Sequence, residues 1–168
     1  MEIDGISPKA TTGLSLYDFK DIKAADGNAI WSTQWKSENG LTTKAWLLGQ
    51  EGEEVATATG WGQRDWKNAD IGATLPYFVR RKRGNNLQTF ISVFEGYEGD
   101  EPFVKSVKLM DDSGIVAVET LNGLDHIMSM HTTGEMTIDL PDGIKKIMGH
   151  FAALSVKEGK IVWMESLS

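Results

Sequence analysis

Ala29-Ile30-Trp31-Ser32-Thr33-Gln34-Trp35-Lys36, then Asn39-Gly40, then Thr42-Thr43-Lys44-Ala45-Trp46-Leu47-Leu48 is the stretch on which the fold turns. Apolar and β-branched side chains recur at every second position rather than every third or fourth, which is the periodicity of a strand. Asn-Gly between two such runs tolerates the positive φ of a tight turn and is the strongest short-range hairpin signal. The two runs read as antiparallel strands over 29–36 and 42–48.

The same period continues through the chain. A third strand is expected at 53–59, followed by a loop over 60–73 rich in glycine, asparagine and aspartate. The segments 75–83 and 87–95, joined by Gly84-Asn85-Asn86, read as a second hairpin. Phe90, Ser92 and Phe94 fall on one face of the later strand and Ile91 and Val93 on the other. Apolar residues on both faces predict a central strand covered on both sides. Tyr97-Glu98-Gly99-Asp100-Glu101-Pro102 is acidic and breaks the pattern. It divides a sandwich portion, 1–98, from a C-terminal β-subdomain, 99–168, unless the two form one continuous domain. Beyond it strands recur at 103–110, 114–121, 124–130, 134–139, 144–156 and 160–167. The turns between them include Asp111-Asp112-Ser113-Gly114, Asn122-Gly123 and Lys157-Glu158-Gly159-Lys160. Short strands with turns at this spacing predict an all-β fold, an antiparallel β-sandwich with a smaller C-terminal β-layer.

Composition narrows the function. The 168 residues suffice for one domain or two small ones. With no cysteine, a disulfide framework, a thiolate zinc site and a cysteine nucleophile are excluded. A formal net charge of −7 argues against nucleic acid as a partner, apart from the basic run 80–83. No apolar run reaches the roughly 18–20 residues of a membrane span. Met1 to Ala10 are polar and contain no signal-peptide h-region. His126, His131 and His150 lie in separate elements without metal-ligand spacing, so neither a metal site nor a cofactor is expected.

The chemistry-bearing block is Gly60-Trp61-Gly62-Gln63-Arg64-Asp65-Trp66, followed by Leu75-Pro76-Tyr77-Phe78-Val79-Arg80-Arg81-Lys82-Arg83-Gly84. Indole faces beside guanidinium groups suit a sugar ring on an anionic polysaccharide, and arginine forks fit carboxylate or sulfate. Trp61, Arg64, Trp66, Arg81 and Arg83 are the candidate carbohydrate-binding residues. The competing expectation is structural: Trp61 anchors a sandwich edge and Arg64 pairs with Asp65 or Asp70. Alternation sends Arg80 and Lys82 to one strand face and Arg81 and Arg83 to the other. The basic run then reads as a solvated strand end that discourages edge pairing. Tyr77 is expected to be a core or edge tyrosine with a hydrogen-bonded hydroxyl.

This block, together with Phe90-Ile91-Ser92-Val93-Phe94-Glu95, resembles the C-terminal β-region of the heparinase II/III-like polysaccharide lyases. Trp31, Trp35 and Leu124-Asp125-His126-Ile127-Met128 also look like the family, and the resemblance extends over about 14–165. It implies a domain from a larger bacterial protein, periplasmic or secreted, in which a helical toroid precedes a large β-sandwich. Such enzymes cleave uronic-acid polysaccharides by β-elimination. A base removes the C5 proton, a tyrosine or histidine protonates the leaving oxygen, and donors stabilise the enolate. The family's catalytic residues lie upstream, and its Gly-x-x-His-x-Asp-Tyr-like motif does not occur in this chain. The resemblance therefore implies a structural or ancillary domain with no catalytic residue of its own. Its partners would be an anionic polysaccharide and an upstream catalytic domain of the same parent protein. A stand-alone carbohydrate-binding sandwich and a purely structural or interaction module are the alternatives.

Overall fold

The structure is a computed structural model that describes residues 2–5, 8–9, 19–62, 67, 72–86, 88–110, 115–130, 135–140, 143–148 and 150–167. Every regular element among them is a strand, every pairing is antiparallel, and none of them is helical. The chain divides into two compact units, Met1–Asp100 and Glu101–Ser168. The fold is thus all-β: a two-sheet sandwich followed by a smaller β-layer.

The first unit holds β1 (Glu2–Asp4), β2 (Pro8–Lys9), β3 (Lys20–Asp26), β4 (Ile30–Lys36), β5 (Leu41–Leu48), β6 (Glu53–Trp61), β7 (Thr74–Lys82) and β8 (Ile91–Glu98). They form two four-stranded sheets, in the orders β1-β4-β5-β8 and β2-β3-β6-β7. The β4–β5 hairpin forms where the Asn-Gly signal places it. Gly40 takes φ +90°, its N–H donates to the Ser37 carbonyl at 3.0 Å, and Leu41 N–H donates to Asn39 Oδ1 at 3.2 Å. The ladder sets Trp31 opposite Leu47 and Thr33 opposite Ala45, so these residues share the inward face. Ala25 and Val55 meet them from the second sheet, and the Trp31 ring stands edge-on to Phe78 at 6.4 Å. Two alanines, Ala25 and Ala45, leave the volume that one indole fills, as close packing across a sandwich requires.

Two expectations fail here. The segments over 75–83 and 87–95 do not pair. β7 pairs with β6 at the edge of one sheet, and β8 pairs with β5 at the edge of the other. The connection between them crosses the sandwich, so the turn-forming residues 84–86 mark a change of sheet rather than a hairpin. The later strand is accordingly an edge strand, with Phe90 and Phe94 41% and 56% exposed. The first three strands, which carried no clear periodic signal, were not anticipated. β3 is mostly charged, buries only Ala24 and Ala25 in its interior, and is interrupted near Asp21 (φ +53°), where its register against β6 shifts.

The second unit holds β9 (Val104–Leu109), β10 (Val116–Thr120), β11 (Leu124–Met130), β12 (Glu135–Leu140), β13 (Gly143–Met148), β14 (Phe151–Lys157) and β15 (Lys160–Leu167). Five of them form one sheet in the order β15-β14-β11-β10-β9, and β12 and β13 form a separate hairpin. Ile115, Ala117, Ile127, Ala152, Leu154 and Val156 make its core, with Ile161 packed against them. The single strand expected over 144–156 is two: β13 pairs with β12, and β14 pairs with β11 and β15. The β14–β15 turn has Glu158 at φ +51° and Gly159 at φ +75°, the two positive dihedrals of a two-residue hairpin. The expected turn at Asp111–Gly114 lies outside the described residues.

Candidate functional site

The β6–β7 ladder carries the candidate residues, and it separates them. It runs from Trp61 opposite Thr74 at one end to Glu53 opposite Lys82 at the other. Trp61 and the Glu54–Arg81 pair are seven positions apart along it, roughly 23 Å at about 3.3 Å per residue. The indole and the cations of the sequence motif therefore do not form one cluster. Arg64 and Trp66 lie outside the described residues.

Trp61 is the last residue of β6 rather than part of a loop, and it is 64% exposed. Its backbone is held from three sides. The Tyr77 hydroxyl donates to the Trp61 carbonyl at 2.6 Å, and Gly62 N–H donates to the Ala73 carbonyl at 3.0 Å. At Gly60 a Cβ would fall 2.7 Å from the Phe19 ring and 3.0 Å from the Tyr77 ring, which themselves pack edge to face at 5.1 Å. The first glycine of Gly-Trp-Gly is thus demanded by two aromatic rings beside the strand. Tyr77 spends its hydroxyl on the Trp61 backbone, as expected of a structural tyrosine.

The basic run is not a solvated strand end throughout. Arg80 shares the inward parity of Phe78, and its side chain is only 6% exposed. All five guanidinium donors are used. Nε donates to Glu53 Oε1 at 2.5 Å, and Nη2 to Glu53 Oε2 at 2.9 Å and the Leu48 carbonyl at 2.7 Å. Nη1 donates to the Ile91 carbonyl at 2.5 Å and to Ser92 Oγ at 3.1 Å. The Phe90 ring centroid lies 5.1 Å from Cζ. Glu53 belongs to one sheet, and Leu48, Ile91 and Ser92 to the other. A charge this deep is tolerated because its partner is fully buried beside it and no donor is left over. Arg80 is a clamp between the sheets.

Arg81, on the opposite face, places Nε and Nη2 on Glu54 Oε2 at 2.9 and 2.7 Å, with both side chains about one-third exposed. Lys82 Nζ donates to Gln50 Oε1 at 3.0 Å. Arg83 lies beyond the strand end, exposed and without an ion-pair partner among the described residues.

Sequence reasoning missed a second aromatic patch, on the outer face of the first sheet. Lys44 Nζ sits 3.9 Å from the Trp46 ring centroid, and Trp46 Nε1–H donates to Glu95 Oε1 at 3.0 Å. Tyr97 Oη bonds Gln34 Oε1 at 3.2 Å; burial, then Glu95 and Asp100, raise its pKa, so it stays a donor. Registers recorded the adjacency, Lys44 lying opposite both Gln34 and Glu95, but only pairing of β5 with β8 brings these residues together. The patch satisfies its own polar groups. In the second unit His126 Nδ1 lies 2.9 Å from Ser155 Oγ; His150 is exposed, and His131 lies outside the described residues. Among the described residues no three His, Asp or Glu side chains come together as a metal site. No helix among the described residues is long and apolar enough to cross a membrane.

Compared with known proteins, the chain matches no protein-family model and no curated protein.

Proposed function

We propose that this chain is the C-terminal β-region of a heparinase II/III-like polysaccharide lyase, a structural sandwich that contacts an anionic glycan and does not itself cleave it. The observation that carries the reading is the presentation of Trp61. An indole 64% exposed stands on a strand end whose backbone is fixed by Tyr77, Gly62 and the packing around Gly60. A rigid aromatic side chain offers a large contact area at small entropic cost, which suits stacking on the apolar face of a sugar ring. Arg83 adds an exposed cation at the far end of the same hairpin. Arg80 and Arg81 are engaged with Glu53 and Glu54, so the local attraction for uronate or sulfate is weaker than four adjacent cations suggest. The base and proton donor of β-elimination belong, in this reading, to an upstream domain of the parent protein.

Calorimetric titration of the chain with heparan sulfate, heparin, alginate and hyaluronan tests the reading, with absorbance of the unsaturated uronate followed in parallel. Binding by at least one polymer is expected, weakened about tenfold or more by Trp61→Ala with an unchanged thermal midpoint, as for loss of one stacked anchor. A rise in absorbance would overturn the non-catalytic part. Absence of binding to all four would overturn the glycan contact.

A further inference from the structure

The second unit carries an edge that its sequence does little to protect. β15 pairs only with β14, and no strand lies on its other side among the described residues. Val162, Trp163, Met164 and Leu167 are 58%, 48%, 52% and 57% exposed, and of its apolar residues only Ile161 packs on the core. The strand is held by the tight turn at Glu158-Gly159 and by a ladder from Lys157–Lys160 to Phe151–Leu167. A long, apolar edge with open N–H and C=O groups is a template for one more strand unless charge, proline or a cover blocks it. Here the only charges are Lys160 and Glu165.

Those two charges point to the added strand. We propose that β15 is a self-association edge, at which two copies of the chain pair β15 to β15 antiparallel about a two-fold axis between Val162 and Trp163. In this register Lys160 lies opposite the partner's Glu165, and by symmetry Glu165 opposite the partner's Lys160. Ile161 faces the partner's Met164, and Val162 the partner's Trp163. A slip of one residue destroys the match: it sets Ile161 against the partner's Glu165, or Lys160 against the partner's Met164.

The faces also agree, because β15 is irregular. Its pairing with β14 steps from Val156–Ile161 to Ser155–Trp163, leaving Val162 as the extra residue of a bulge. Lys160 and Glu165, opposite Lys157 and Ala153, therefore lie on one face of the sheet, while Ile161 and Met164, opposite Val156 and Leu154, lie on the other. The Lys160–Glu165 and Ile161–Met164 cross-copy pairs therefore each join side chains on the same face, as a continuous antiparallel sheet requires. The contact is isologous and closes on itself, so it yields a dimer rather than a filament.

Sedimentation velocity on the full chain across a concentration series tests this. The expected result is a reversible monomer–dimer equilibrium. Glu165→Lys turns two attractive pairs into two like-charge pairs and weakens the dimer about tenfold or more. Lys160→Glu does the same, and the double variant Lys160→Glu/Glu165→Lys restores association. Hydrogen exchange of the unmodified chain gives an independent reading: amides of 160–165 gain protection as concentration rises. A chain that stays monomeric throughout, a dimer indifferent to both reversals, or exchange in 160–165 that does not depend on concentration overturns the proposal.

Discussion

Arg80 shows how one position changes meaning between sequence and structure. As the first of four cations it looks like a ligand group, yet parity with Phe78 turns it inward, where Glu53 and three groups of the opposite sheet consume its five donors. Replacing one partner strands the other as a buried charge. Arg80→Met should therefore cost about 3–5 kcal/mol of unfolding free energy, and the double variant Arg80→Met/Glu53→Met clearly less than the sum of the two single changes. Urea denaturation of the four proteins measures this, and additive losses would mean that the pair is not coupled. Inside the same sandwich, Trp31 Nε1 and Thr33 Oγ1 are buried and find no hydrogen-bond partner among the described residues. A valine has the shape of threonine without the hydroxyl, and suits a strand equally well. Thr33→Val is expected to raise the denaturation midpoint by a stability gain of about 1 kcal/mol, since an unsatisfied buried hydroxyl is removed at little steric cost.

At the scale of elements, local chemistry and long-range pairing part company. The turns at Asn39-Gly40 and Glu158-Gly159 form where their residues favour positive φ. By contrast the glycine and asparagines of 84–86 join strands of different sheets, because turn chemistry reports a change of direction and not the partner that follows. The β9–β10 pair offers a test of cross-strand electrostatics. Glu119 receives a short hydrogen bond from Lys105 and a second from Ser106, and both hold its carboxyl below the ordinary glutamate value; Lys105 is raised in return. A depressed folded-state pKa gives stability that is present above the unfolded value and is lost as pH falls through the folded one. Lys105→Met should move the Glu119 titration, followed by carboxyl-carbon NMR, upward toward the ordinary value of about 4.3, with only a small effect on stability at neutral pH because the pair is exposed. An unmoved titration would assign the shift to Ser106 and to the nearby Lys108 charge rather than to Lys105.

At the scale of the whole molecule, each unit carries its own hydrophobic cluster, one around Trp31 and Leu47 and one around Ile127 and Leu154. Trp31→Ala empties the largest buried volume of the first and should cost it about 3–5 kcal/mol. Native-state hydrogen exchange is expected to show the loss in β4, β5 and β6 while β11 and β14 keep their protection; equal loss in both would mean that the units unfold together. Antiparallel strands were legible in the order of the amino acids, because alternation and positive-φ turns are properties of a few adjacent residues. Trp61 was legible there too, since an indole between two glycines is conspicuous wherever the strands go. Which strands became neighbours, that the indole and the cations sit at opposite ends of one hairpin, and that the Arg80 side chain is buried were set by packing between distant segments. Those outcomes depend on burial and pairing between segments distant in the chain. A period of two says which side chains share a face of a strand, but not whether that face meets a core, a buried carboxylate or water.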